Sequence, residues 1–278
     1  MSSEFLSFKV YDDLNRRAAD GPLLFMWKYG FSSAIGTAHA RASVPVQDAS
    51  RATVLMDSNG AEILVAVVSD GAGSAALSHI GAQQACELWL EAVRTYVAAG
   101  GRVAPLAQDF LPRWIEAFQQ QIESTARASG LEIEEYACTF LSAVIAPDCA
   151  AYFQLGDGAM IEAVGPDWNV VCWPQQGEYA NTTHFLTEAD AAQKCFVELR
   201  NHSVDEVALF TDGIQNLVLD YRTRTAHAPF FEPLFAWVRP RATGYSAELS
   251  EALSVYLNSA KMNARTDDDK TLVLATRR

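Results

Sequence analysis

The sequence predicts an α+β fold in which two antiparallel β-sheets pack as a sandwich flanked by helix pairs. Three observations carry this. Several apolar strand-like runs are joined by short loops, which favours antiparallel neighbours. Two long amphipathic stretches follow one another with no strand between them. Regular βαβ alternation is missing, which argues against a doubly wound parallel sheet.

The elements follow in order. Leu23 to Ile35 is apolar and aromatic, Thr53 to Met56 reads as a short strand, and Ile63 to Val68 as a buried one, with the turn signal Ser58-Asn59-Gly60 between the last two. Ile80 to Ala99 is a helix whose apolar stripe runs through Ala85, Leu88/Trp89, Val93 and Tyr96/Val97, and Gly100-Gly101 ends it. A second helix spans about Pro105 to Ser129, with Phe110, Trp114, Phe118 and Ile122 on one face and Gly130 as its stop. Strands return at Cys138 to Ala146, Ala150 to Leu155, Ala159 to Val164, Val170 to Trp173, Val197 to Arg200 and Val207 to Thr211. A helix from about Ala247 to Lys261 precedes a last strand, Thr271 to Thr276.

Neither a linker composition nor an internal repeat divides the 278 residues. The expectation is a polar N-terminal extension over residues 1–22 and one domain over residues 23–278. With 21 Lys+Arg against 34 Asp+Glu the formal net charge is -13, which opposes nucleic-acid or anionic-membrane binding. The five cysteines are widely spaced with no C-x-x-C pair, as in a protein of reduced thiols. No charge-free apolar stretch approaches the roughly 20 residues a membrane span needs, and no secretory leader pattern opens the chain. A soluble cytoplasmic protein is expected.

The aspartates fall in an informative pattern. Asp70, Asp157 and Asp212 each end an apolar strand and precede glycine, and Asp267-Asp268-Asp269 lead into the last strand. One such Asp-Gly step is ordinarily a turn. Several carboxylates at half-buried strand tips repel one another unless cations lie between them, and oxygen ligands suit Mg²⁺ or Mn²⁺. Spacing alone leaves the turn and the cation site as alternatives.

The motifs Pro45-Val46-Gln47-Asp48-Ala49, Ser69-Asp70-Gly71-Ala72-Gly73-Ser74, Leu155-Gly156-Asp157-Gly158, Phe210-Thr211-Asp212-Gly213-Ile214 and Asp268-Asp269-Lys270-Thr271-Leu272 occur in that order. Together they resemble the metal-dependent serine/threonine protein phosphatases of type 2C, from about Phe31 to the C-terminus. The resemblance implies a β-sandwich between helix pairs, a Mn²⁺ or Mg²⁺ centre of two ions, and a phosphorylated protein as substrate, with a cognate kinase opposing it. It makes Asp70 the carboxylate bridging both ions, with the Gly71 carbonyl on one and Asp212 and Asp268 on the other. Asp157 would help hold a third, weaker ion, and Asp48 would act through water. It also implies direct phosphoester hydrolysis, without a phospho-enzyme, by water that the paired ions activate.

Three positions depart from the family pattern. Gln47 stands where Glu is usual and offers only a neutral oxygen. Arg41 is the candidate phosphate-binding arginine but lies further upstream than usual and reads equally as a surface residue, and Ala72 replaces a histidine common in eukaryotic members. The polar stretch Gln176 to Thr183 reads equally as a flap beside the site or as an ordinary loop. Two rival readings follow. Gly71-Ala72-Gly73-Ser74-Ala75-Ala76 loosely matches a dinucleotide-binding turn, but the helix after it leads to another helix rather than a parallel strand. A catalytically inactive phosphatase fold used as a binding module is the stronger rival; the surviving Asp70, Asp212 and Asp268 oppose it.

Overall fold

A computed structural model describes residues 26–175 and 183–278. The expected N-terminal extension and all but Thr183 of the expected flap lie outside the described residues. The chain runs through β1 (Lys28–Ala34), α1 (Thr37–Ala42), β2 (Ala49–Met56), β3 (Glu62–Ser69), α2 (Ser78–Ala98), α3 (Phe110–Ser129), β4 (Phe140–Ile145), β5 (Ala150–Leu155), β6 (Ala159–Val164) and β7 (Asp167–Cys172). There follow α4 (Ala191–Lys194), β8 (Phe196–Arg200), β9 (Glu206–Phe210), α5 (Gln215–Val218), β10 (Leu219–Asp220), β11 (Thr225–Ala226), α6 (Ala228–Val238), β12 (Gly244–Tyr245), α7 (Ala247–Leu257), α8 (Ala260–Asn263) and β13 (Lys270–Thr276).

The strands form a five-stranded sheet, β2-β3-β4-β5-β8, a six-stranded sheet, β12-β1-β13-β9-β6-β7, and a separate two-stranded ribbon, β10-β11. All pairings are antiparallel except the two-residue β1–β12 contact, so the predicted sandwich is observed. The period-two alternation of a strand explains the layers. Along β3, Ile63, Val65 and Val67 face the α2/α3 helix pair, while Leu64, Ala66 and Val68 face the other sheet. Along β13, Val273 and Ala275 point between the sheets, and Leu272 and Leu274 meet α6 and α7. Trp89 anchors the first helix layer, 4.8 Å from Trp114 and 5.1 Å from Phe140 between ring centroids. Its Nε1–H donates to Ser142 Oγ at 2.6 Å, so the buried indole leaves no polar orphan. No helix among the described residues is long and apolar enough to cross a membrane.

The structure departs from expectation where local chemistry competes with periodicity. The second long helix begins at Phe110, since Pro105 sits in a separate 3₁₀ turn, Ala104–Ala107. The helix expected to reach Lys261 stops at Leu257, and Ser259 caps a new turn by accepting from the Met262 N–H. Helix α6 carries Pro233 in its interior, a residue that reads as a breaker, yet burial of Phe231, Phe235 and Val238 holds it. Helix α1 has only six residues and none buried, so no apolar stripe announced it.

The registers aim one set of strand ends at one place. Phe210 of β9 pairs with both Leu272 of β13 and Ala159 of β6, while Phe140 of β4 pairs with Leu155 of β5. A bridge between Gly71 and Cys138 brings the end of β3 alongside. The residues just beyond these ends are the aspartates singled out in the sequence.

Candidate metal centre

Asp70 leaves β3 under tight backbone control. Its N–H donates to Thr139 Oγ1 at 2.9 Å, its carbonyl accepts from the Thr139 N–H at 2.7 Å, and Ser69 Oγ donates to the Thr139 carbonyl at 2.6 Å. A Cβ on Gly71 would lie 2.9 Å from the Gln47 carbonyl oxygen, so the next residue must lack one. The same holds at Gly213, where a Cβ would come within 1.8 Å of the Asp269 carbonyl and push the lead-in to β13 away from Asp212.

Asp70, Asp157 and Asp212 meet, each offering a carboxylate oxygen within 4.8 Å of the others. They line a cleft of about 350 Å³ together with Asp268, Gln47, Gly71 and His39. Asp48 lies one layer behind. It is 4% exposed, and its Oδ2 accepts from Thr211 Oγ1 and Thr271 Oγ1, both at 2.7 Å, which ties β9 to β13. Asp268 is exposed at the rim, its Oδ1 accepting from the Asp269 N–H at 2.8 Å. Arg41 is exposed on α1 and is not among the residues lining the cleft.

The sequence assigned no role to three residues of the site, Asp269, His39 and Thr139. Asp269 is 2% exposed and accepts from the Gly36 N–H at 2.6 Å and the Gln47 N–H at 2.5 Å, while His39 Nδ1 lies 3.0 Å from its Oδ1. One carboxylate thus fixes the end of β1, helix α1 and the Gln47-Asp48 step. The acidic triplet signalled Asp269, whereas a lone histidine is more often structural, so His39 drew no role while α1 was unseen. Thr139 is an ordinary strand-start threonine in sequence, and only the register shows it gripping Asp70.

The electrostatics are strained without a counter-charge. Burial, and then the charges of Asp48, Asp212 and Asp157, push Asp70 well above the usual carboxylate range. Burial likewise lifts Asp48 to about 8 and Asp212 to about 6, and it raises Asp157 with Asp268 adding repulsion. Asp70 and Asp212 lie so close that they titrate as a pair rather than as separate acids. No Lys or Arg lines the cleft among the described residues, and the Lys270 ammonium is turned to the carbonyls of Ile35 and Asp268, each at 3.1 Å. Asp48 Oδ1, Asp212 Oδ1 and Gln47 Oε1 are buried without hydrogen-bond partners among those residues. Buried acceptors left unpaired are costly. An all-oxygen donor set carrying excess negative charge fits hard divalent cations.

The profile of the protein phosphatase 2C family matches residues 35–254. Serine/threonine-protein phosphatase 3 of Escherichia coli strain K12 is 34% identical over 249 residues, which are 90% of this chain and 98% of that protein. Among solved structures, serine/threonine phosphatase Stp1 from Staphylococcus aureus is similar with a TM-score of 0.59 at 14% identity, over 90% of this chain and 95% of that one. The catalytic domain of the serine/threonine phosphatase PstP, solved in complex with two manganese ions, is similar with a TM-score of 0.53 at 15% identity, over 90% of this chain and 98% of that one.

Proposed function

The chain belongs to the protein phosphatase 2C family, and from that premise we infer that it is a metal-dependent protein phosphatase hydrolysing phosphoserine and phosphothreonine. The observation carrying this is the convergence of Asp70, Asp157 and Asp212 on a cleft that offers anionic oxygens and no side-chain cation of Lys or Arg among the described residues. Two Mn²⁺ or Mg²⁺ ions are assigned to the centre, the number carried by the structurally similar PstP. Asp70 would bridge them, with the Gly71 carbonyl on one and Asp212 and Asp268 on the other. Asp157 would help hold a third ion, and Asp48 and Gln47 would complete the second ion's surroundings, Gln47 through a neutral oxygen.

When bound, such ions would activate a water for attack on phosphorus and would offset the charge of the phosphoryl oxygens. The chain's own residues hold the geometry for that. Asp48 clamps Thr211 and Thr271, so the tips of β9 and β13 cannot part. Asp269 fixes the approach of α1, and Thr139 sets where the Asp70 carboxylate begins. Arg41, exposed on α1, is assigned to drawing the incoming phosphoryl group toward the rim. Residues 23–278 are proposed to act as one domain.

The five free cysteines fit a reducing compartment, so we place the enzyme in the cytoplasm, opposing a protein kinase. A catalytically inactive binding module is not favoured, because it would retain buried, mutually repelling carboxylates to no purpose. The test is release of phosphate from a phosphothreonine peptide and from p-nitrophenyl phosphate with Mn²⁺, Mg²⁺ or EDTA. Turnover requiring the ion supports the enzyme, whereas folded, ion-saturated protein without turnover on either substrate overturns it.

A further inference from the structure

Beside the metal cleft, across a ridge formed by Ala72 and Phe185, lies a groove of about 670 Å³ that shares both residues with the cleft. Its walls are α3, the 3₁₀ turn Ile133–Tyr136 and the loop leading into α4. Four glutamates line it, Glu116 and Glu123 from α3, Glu134 from the turn and Glu188 from the loop, with no Lys or Arg among the lining residues. Glu123 is engaged by Arg127 at 2.7 Å and Glu188 by Lys194 at 2.7 Å. Glu116 and Glu134 meet no Lys, Arg or His within salt-bridge distance among the described residues. Gln119 Nε2 donates to the carbonyls of Leu186 at 2.8 Å and Glu188 at 2.7 Å, which fixes the loop wall to α3. The groove is therefore a held shape rather than a gap beneath a loose loop.

The shared ridge puts this groove within reach of the residues on one side of a phosphoryl group held in the cleft. We propose that the groove receives the residues flanking the phosphoserine or phosphothreonine and selects for Lys and Arg there, so that the substrates are phosphorylated segments with basic flanks. This rests on the phosphatase reading of the adjacent centre. The ions answer the phosphoryl charge in the cleft. The glutamates answer a different part of the substrate, and they repel an acidic flank as firmly as they attract a basic one.

The experiment compares three phosphothreonine peptides of equal length, with Arg/Lys, Ala or Glu flanks, on the Mn²⁺-loaded full chain. The expected result is kcat/KM about tenfold higher for the basic than for the acidic flank, carried in KM, since each exposed pair contributes a few-fold. The preference should shrink as salt rises from about 0.05 M to about 0.5 M. In the Glu116→Gln/Glu134→Gln double variant the three peptides should converge to within about twofold, and Glu116→Lys should tilt the order toward the acidic flank. The ratio among peptides within each variant is independent of how much protein is active. Turnover without discrimination among the flanks, or discrimination that survives the double substitution, would overturn the groove assignment while leaving the phosphatase standing. No turnover on any phosphopeptide would overturn the phosphatase, and this inference with it.

Discussion

Strand β9 has a carboxylate at each end, fully buried at its start and half-buried just past its other end, and the two ends are built in opposite ways. At its start, Glu206 has no exposed surface and receives a bidentate guanidinium, Arg239 Nε at 2.8 Å and Nη2 at 2.7 Å. Thr276 Oγ1 donates to it at 2.9 Å, and Arg278 Nη1 stands 3.3 Å away. Just past its other end, about 20 Å on, Asp212 meets Asp70 and Asp157 and, among the described residues, no Lys or Arg lines the space and Asp212 Oδ1 has no partner. Strand β13 repeats the polarity, with Thr276 at the arginine end and Asp268 and Asp269 at the other. A buried acid that serves only the fold comes with its counter-charge in the same chain. One that leaves its counter-charge out has a place for a cation from solution.

The largest expected effect attacks this contrast directly. Asp70→Asn should lower ion-dependent turnover by about a thousandfold, yet it should raise the melting temperature in EDTA, because a neutral amide replaces a carboxyl whose ionisation burial and acidic neighbours oppose in the folded chain. Arg239→Ala should do the reverse. It strips a bidentate partner from fully buried Glu206 and should cost about 3 kcal/mol in urea denaturation, with Arg278 and Thr276 limiting the loss. The shift in melting temperature on adding Mn²⁺ should survive it. If Asp70→Asn destabilised the ion-free chain as Arg239→Ala does, the two ends would not differ in kind.

How much of this contrast the sequence disclosed follows from its physics. The aspartate end was legible because strand-tip acids followed by glycine are local patterns, and Asp70, Asp157 and Asp212 needed no knowledge of pairing to be noticed. Strands β5 and β6 were read to the residue, since apolar runs bounded by turns carry their own limits. The arginine end was invisible. Glu206 and Arg239 are 33 positions apart and become partners only through the packing of α6 on the six-stranded sheet. The pairing of Asp269 with His39 was hidden for the same reason, since it needs both the β1–β13 register and a helix too short to show periodicity.

The pH response sharpens the comparison. In the ion-free chain Asp48 titrates near 8 and Asp212 near 6, against about 4 in an unfolded chain. Folded values above the unfolded one mean that these groups contribute stability that is fully present below about pH 4 and is lost as pH rises through about 6 and then about 8. The melting temperature in EDTA should therefore fall across that window, and the fall should be shallower in Asp48→Asn. Bound Mn²⁺ requires the ionised forms, so its stabilising shift should grow with pH over the same range. An EDTA profile that is flat there, and unaltered by Asp48→Asn, would mean that the aspartates are already neutralised from within, as Glu206 is.

The smallest effect concerns Gln47, the one lining position where the aspartate end has surrendered a charge. Its Oε1 is buried without a hydrogen-bond partner among the described residues, and a Cβ on Gly73 would lie 3.9 Å from it, so the oxygen already faces the cleft. Ion affinity in oxygen sites follows the number of charged ligands. Gln47→Glu should therefore tighten Mn²⁺ binding about tenfold by calorimetric titration, and the same added charge should lower the melting temperature in EDTA. The two changes must come together, because both arise from one more carboxylate among unpaired neighbours. Tighter binding without a loss of ion-free stability would mean that the new carboxylate finds a donor within the chain, and the contrast between the two ends of β9 would then be one of degree.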